Sequence, residues 1–222
     1  MDVREAVLDL LFPPKCPLCG RVIAEVGFCE QCLAAAPRPE REDMDLRESG
    51  LHCAAPFRYE GAVRRALVGL KYSGHIAYAR PFGEALAETL VREGLTGVHR
   101  VTWVPLGDKR LKSRGFDQAF LIARHAAAVF ELPTERLVKK LLDTPPVARA
   151  ASAAERRARV LGNYAALRPL SGERVLLIDD ICTSGATMAE CRRTLLAAGA
   201  GEVLLAAAAL TPRTQSGGEK RN

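Results

Sequence analysis

Val175-Leu-Leu-Ile-Asp-Asp-Ile-Cys-Thr-Ser-Gly-Ala-Thr187 reads as four apolar residues, two acids, two variable positions and a run of small hydroxyl-bearing residues around a glycine. The unbroken apolar run 175–178 predicts a strand buried on both faces. Residues 186–198, closed by Gly199, predict a helix. A helix N-terminus offers unpaired N–H groups and a partial positive charge. The turn Thr183, Ser184, Gly185, Ala186, Thr187 therefore forms a phosphate cradle if Gly185 lets the backbone come close. The hydroxyls of Thr183, Ser184 and Thr187 add donors. Asp179 and Asp180 stand at the carboxyl end of the strand, where ligands of open α/β sheets bind. Two carboxylates there suit ribose hydroxyls or a hydrated Mg²⁺. A simple acidic helix cap needs one acid, not two, and no Gly-x4-Gly-Lys-Ser/Thr P-loop occurs in the chain.

Around this segment strands and helices alternate. Strands are expected at 54–59, 101–104, 137–142, 164–167 and 203–210, and helices at 62–70, 76–92 and 116–130. Strands apolar on both faces, separated by helical patterns, imply an α/β fold with a mostly parallel sheet covered by helices. Segment 143–163 holds Pro145, Pro146, Arg149, Arg156, Arg157 and Arg159 and is too long for a simple connection, so it reads as a lid or binding loop. Further upstream, residues 3–12 carry apolar positions at helical spacing, stopped by Pro13 and Pro14, and the polar, acidic run 38–49 reads as a linker. The organisation expected is a small module over 1–50, a main domain over 51–212 and a disordered tail over 213–222.

The thirteen residues 175–187 resemble the phosphoribosyl-pyrophosphate motif of type I phosphoribosyltransferases. Trp103-Val-Pro-Leu-Gly-Asp-Lys-Arg-Leu-Lys-Ser-Arg-Gly-Phe-Asp-Gln-Ala119 and Leu70-Lys-Tyr-Ser-Gly74 narrow the resemblance to the ComF family. That family pairs an N-terminal cysteine module with a phosphoribosyltransferase-like domain, and the resemblance covers nearly the whole chain. It implies that Asp179 and Asp180 hold the ribose hydroxyls, that the 183–187 turn takes the 5′-phosphate, and that Lys109 in a loop at 106–109 takes the pyrophosphate. Arg110 and Arg114 would face the anion as well, and 143–163 would form a flexible hood. The hood departs from the family pattern, with Ala148 and Arg159 where a Gln and an Asn are usual. An active site of this kind would release Mg-pyrophosphate from ribose C1 through an oxocarbenium-like transition state. The acceptor is not named by the sequence.

Cys16-Pro-Leu-Cys19 and Cys29-Glu-Gln-Cys32 form a C-x2-C-x9-C-x2-C array, enough for one tetrahedral site with four thiolates. Structural zinc is the expectation, because such a module has little apolar area of its own. Seven cysteines arranged as two close pairs and three scattered residues fit a reducing compartment better than a disulfide framework. Cys182, Cys53 and Cys191 are expected to be small or core residues. His52, His75, His99 and His125 show no ligand spacing.

At 222 residues and 48% hydrophobic, the chain is long and apolar enough for an ordinary core, which excludes wholesale disorder. No basic, apolar leader opens it, so a cytoplasmic protein is expected. The longest strictly apolar run, residues 203–210, is far short of the ~20 residues that a membrane-crossing helix needs. The net charge of +6 is uneven: residues 1–50 carry an excess of acid, and 100–160 hold 13 Lys+Arg against 6 Asp+Glu. Such a basic stretch attracts phosphates, of a nucleotide or of a nucleic-acid backbone. Lys109, Arg110, Lys112 and Arg114 are the candidate contacts to single-stranded DNA. Trp103 and Phe116 are read as core residues in preference to base-stacking platforms. Three functions stay open: a Mg-dependent phosphoribosyltransferase, a DNA-handling protein that works with competence-machinery partners, as the ComF resemblance implies, or a sensor that binds phosphoribosyl pyrophosphate without turnover.

Overall fold

The computed structural model describes residues 13–46, 49–142, 158 and 160–212. The 3–12 segment, the tail beyond 212 and residues 143–157 and 159 of the expected hood, which include Ala148 and Arg159, lie outside the described residues. The elements are α1 (Glu30–Ala35), α2 (Arg41–Met44), β1 (Phe57–Arg58), α3 (Gly61–Tyr72), a 3-10 turn (Ile76–Tyr78) and α4 (Ala79–Arg92). They are followed by β2 (Arg100–Trp103), α5 (Asp108–Arg114), α6 (Gln118–Val129), β3 (Val138–Lys140) and β4 (Tyr164–Ala166). The last three are β5 (Arg174–Cys182), α7 (Ala186–Ala197) and β6 (Glu202–Leu210).

Four strands form one parallel sheet in the order β1-β6-β5-β2. The expected parallel α/β architecture is thus present. Its two long central strands are buried, with Val175 through Ile178 and Ala206 through Ala209 at 0% exposure, which explains their unbroken apolar sequences. Leu176 and Ile178 face one helical layer together with residues of α3, α4 and α6. Val175 and Leu177 face the other, with Met188, Cys191 and Leu195 of α7. The period of two along β5 therefore places successive residues on opposite sides of the sheet.

Each covering helix follows from its sequence. Val63, Ala66, Leu67 and Leu70 give α3 a buried stripe at i, i+3, i+4, i+7. Gly83 lets α4 and α6 touch, since a Cβ there would lie 2.7 Å from the Ile122 carbonyl oxygen. Asp117 caps α6, its Oδ1 accepting from the backbone N–H groups of Ala119 and Phe120.

Four elements differ from the expectation. The 137–142 and 164–167 runs do not enter the main sheet; β3 and β4 pair with each other as an antiparallel ribbon. Only three residues of each are paired, and Lys139 between Val138 and Lys140 is exposed, so the run lacks the two-sided burial a central strand has. β5 runs on through Asp179 and Asp180 to Cys182, because β6 continues beside it to Leu210. Residues 108–114, which overlap the loop expected at 106–109, form α5. Asp108 in its first turn and Lys112 and Arg114 in its last match the helix dipole, and Gly115 closes it at φ 80°.

Residues 38–46 pack onto the sheet domain. Arg38 donates to the carbonyls of Leu33 and Pro56 and stacks over Phe57. Arg58 Nε lies 2.9 Å from Oδ2 of the buried Asp43, and Leu46 is 3% exposed.

Candidate functional site

β2 stops pairing with β5 at the Trp103–Ile178 register, one residue before the acids. Beyond it the chain opens a crevice at the carboxyl ends of both strands, the position where open α/β sheets bind ligands. Two adjoining cavities occupy it. The smaller, about 30 Å³, is lined by Asp179, Ile181, Cys182 and the turn Thr183, Ser184, Gly185, Ala186 and Thr187, with Met188 below. The larger, about 360 Å³, shares Asp179, Ile181, Thr183 and Thr187 and extends past Asp180 to Lys71, Arg110, Arg114 and Lys140.

The turn is built as a helix start. Gly185 has φ 80° and ψ −2°, Ala186 opens α7, and Ser184 Oγ accepts from the Ala186 N–H at 3.4 Å. The expectation for Gly185 was close backbone approach to a ligand. The structure supplies a different reason for a glycine: a Cβ there would lie 2.5 Å from Cδ1 of Leu46, in a left-handed conformation that side chains avoid.

The two acids have separate surroundings. Asp180 is 4% exposed, and its Oδ2 lies 2.8 Å from Nζ of Lys71 on α3 without making any directed hydrogen bond. Its Oδ1 accepts from the Ile181 N–H at 2.6 Å. Asp179 is half-buried and lines both cavities, and its Oδ1 accepts from the Asp180 N–H. Burial, reinforced by the charge of Asp180, pushes the Asp179 carboxyl well above the usual range, although Lys71 opposes the shift. Burial works against the charge on Lys71, but the two carboxylates outweigh it and hold its ammonium above the ordinary value.

Arg110 and Arg114 of α5 line the larger cavity, and Arg114 stacks over Tyr72 at 5.1 Å. Lys109 and Lys112 sit on the exposed side of α5, outside the lining. Two lining cations carried no sequence expectation as site residues, Lys71 and Lys140. Asp117 was also overlooked. Its Oδ2 accepts from the Leu106 N–H at 3.0 Å and from Trp103 Nε1 at 3.2 Å, so it pins the 104–107 connection under the cavity. Burial raises its carboxyl above the ordinary value, against the lowering effect of these donors. The readable signal was its position directly before an apolar helical pattern. Trp103 packs against Phe120 at 4.7 Å and Phe116 packs against the core, as expected. Cys182, Cys53 and Cys191 are buried.

At the other end of the chain, the sulfurs of Cys16, Cys19, Cys29 and Cys32 all lie within 4.8 Å of one another, the one such cluster among the described residues. Four thiolates at ~2.3 Å from a tetrahedral zinc sit about 3.8 Å apart. Cys19 and Cys29 are at 3.8 Å, so the arrangement fits that ion. Burial opposes ionisation of Cys16, but N–H groups led by that of Cys29 outweigh it and bring its thiol down to about 7. The module docks on the main core through Phe28, whose ring meets Phe57 at 5.3 Å and Phe82 at 5.1 Å.

Comparison with known proteins finds two domain families along the chain. Residues 7–43 match the double zinc ribbon domain and residues 117–221 the phosphoribosyl transferase domain. The competence protein ComFC of Bacillus subtilis is 25% identical over 187 residues, covering 83% of this chain and 72% of that one. The DNA utilization protein YhgH of Escherichia coli is 27% identical over 201 residues, covering 85% and 80%. Among solved structures, the glutamine phosphoribosylpyrophosphate amidotransferase of B. subtilis aligns over 60% of this chain at 26% identity with a TM-score of 0.40. The chain spans 27% of that enzyme's length. No helix among the described residues is long and apolar enough to cross a membrane.

Proposed function

With the chain a relative of the ComF proteins, a zinc ribbon joined to a phosphoribosyl transferase domain, we propose that it binds phosphoribosyl pyrophosphate together with Mg²⁺. The observation that carries this reading is the pair of adjoining cavities. One is a hydroxyl-lined cradle at the start of α7, and the other is lined by two carboxylates and four cations, with Asp179 common to both. A 5′-phosphate in the cradle has the α7 dipole and the donors of Thr183, Ser184 and Thr187 around it. The ribose diol then falls to Asp179 and Asp180, and a pyrophosphate at C1 to the Arg110 and Arg114 side. The donor set fits magnesium carried in by the ligand, because Asp179 presents an oxygen to the cavity and the phosphates complete an oxygen shell. Bound there, the ion supplies neutralisation of the leaving pyrophosphate. This chain's residues would fix the ribose and set cations where negative charge develops.

Calorimetry with phosphoribosyl pyrophosphate and Mg²⁺ tests binding, and release of pyrophosphate tests turnover. Asp179→Asn/Asp180→Asn is expected to abolish binding with fold and zinc content intact; unchanged affinity removes the assignment.

A second reading, single-stranded DNA handling, is favoured by the names of the relatives and by the arginines at the cavity edge. Several backbone contacts give a steep loss of affinity between low and moderate salt. A weak, flat salt response excludes it.

A further inference from the structure

Lys71 belongs to neither segment that marks the phosphate site. It is the penultimate residue of α3, more than a hundred positions before the acids, and its charge is delivered to them across the sheet edge. Its side chain is 18% exposed, and the exposure it keeps is toward the larger cavity, whose wall it forms with Tyr72, Arg110 and Arg114. The ionisable groups around it are Asp180 and Asp179 on β5 and Tyr59 after β1.

A lysine in this place solves an electrostatic problem. Two adjacent carboxylates repel a highly anionic ligand, and a buried carboxylate without a partner is costly. Lys71 balances Asp180, so the cavity keeps an open acid in Asp179 for a sugar diol. An ammonium has three donors on a flexible stem. The ion pair with Asp180 Oδ2 at 2.8 Å engages one side of the ammonium, and Lys71 lines the same cavity as Arg110 and Arg114, where a donor can meet an anion.

We propose that Lys71 is a specificity-determining residue that discriminates in favour of a sugar bearing a diphosphate at C1 over the same sugar phosphate without it. This rests on the reading of the cavities as a phosphoribosyl pyrophosphate site. Lys71 bridges Asp180 and the diphosphate, so the cation that recognises the leaving group is held by the acid next to the one left open for the ribose.

The test compares the affinities of phosphoribosyl pyrophosphate and ribose 5-phosphate, each with Mg²⁺, for the full-length protein and for Lys71→Met and Lys71→Arg. Zinc content and circular dichroism establish that each variant is folded. Lys71→Met is expected to weaken the diphosphate at least about tenfold more than the monophosphate, the effect of losing one charge-assisted hydrogen bond. Lys71→Arg is expected to recover part of that ratio. An equal loss for both ligands reduces Lys71 to a support for Asp180 and overturns the proposal, as does no loss for either. If the parent protein binds neither ligand, the site assignment itself fails; if it binds both and the ratio is unmoved, only the role of Lys71 fails.

Discussion

Leu46 occupies the space that any side chain on Gly185 would need. Its Cδ1 lies 2.5 Å from where a Cβ would stand, and its Cβ and Cγ at 3.0 Å. Leu46, on the segment between the zinc module and the sheet domain, thus presses on the turn that opens α7 and shapes it from behind.

Gly185→Ala is therefore expected to destabilise the protein by about 2 kcal/mol through the positive φ alone, with a further steric cost. In a urea-unfolding cycle, Gly185→Ala/Leu46→Ala should be less damaged than the two single changes added together. Strict additivity would mean that the two residues do not press on each other.

Asp117 accepts four hydrogen bonds, two from the start of α6 and two from Leu106 and Trp103. Asp117→Ala is expected to cost about 1–3 kcal/mol as a lost cap and two orphaned donors. Trp103 is the sole tryptophan, so its fluorescence reports the loss directly. Unchanged emission and stability would show that the tie is not made in solution.

Asp179 carries a pH signature. Its folded carboxyl titrates well above its unfolded one, first because of burial and then because of Asp180. Over the interval between those values the folded chain holds the extra proton, so stability falls as pH rises through it. Asp179→Asn removes this dependence. It should be more stable than the parent at pH 8, with the difference shrinking as the pH is lowered. A parent more stable than the variant at pH 8 would mean an ionised, well-paired Asp179.

Removal of zinc should free Phe28 from Phe57 and Phe82. Cys16→Ser or a strong chelator is expected to take the metal from one ion per chain to none and to erase near-ultraviolet dichroism from these rings. The far-ultraviolet signal of the parallel sheet should persist, because β1, β2, β5 and β6 draw their pairing from residues outside the module. Loss of both signals together would make the module essential to the whole fold.

The strand, acids and turn at 175–187 were legible because every feature is local: an apolar run, two charges, a glycine and hydroxyls in one stretch. Their parallel sheet was legible for the same reason. Lys71 was not, since its partner lies on another element and nothing in the periodicity of α3 sets it apart from a solvated lysine beside Leu70. α5 escaped because Asp108 through Arg114 has charge order but almost no apolar periodicity. The β3–β4 ribbon escaped because a short apolar run does not disclose which neighbour it will pair with. The array of four cysteines was fully readable, as its spacing is itself the signal.

β6 follows β1, β2 and β5 in sequence yet lies between β1 and β5. During vectorial synthesis both flanking strands are therefore made before the one that bridges the roughly 10 Å between them, twice the interstrand spacing. The cysteine knuckles can close around their ion early in translation, but the strand bearing both aspartates stays unsupported on one side until β6 has emerged. A product that stops short of β6 would keep its four-cysteine cluster without the crevice beside the acids.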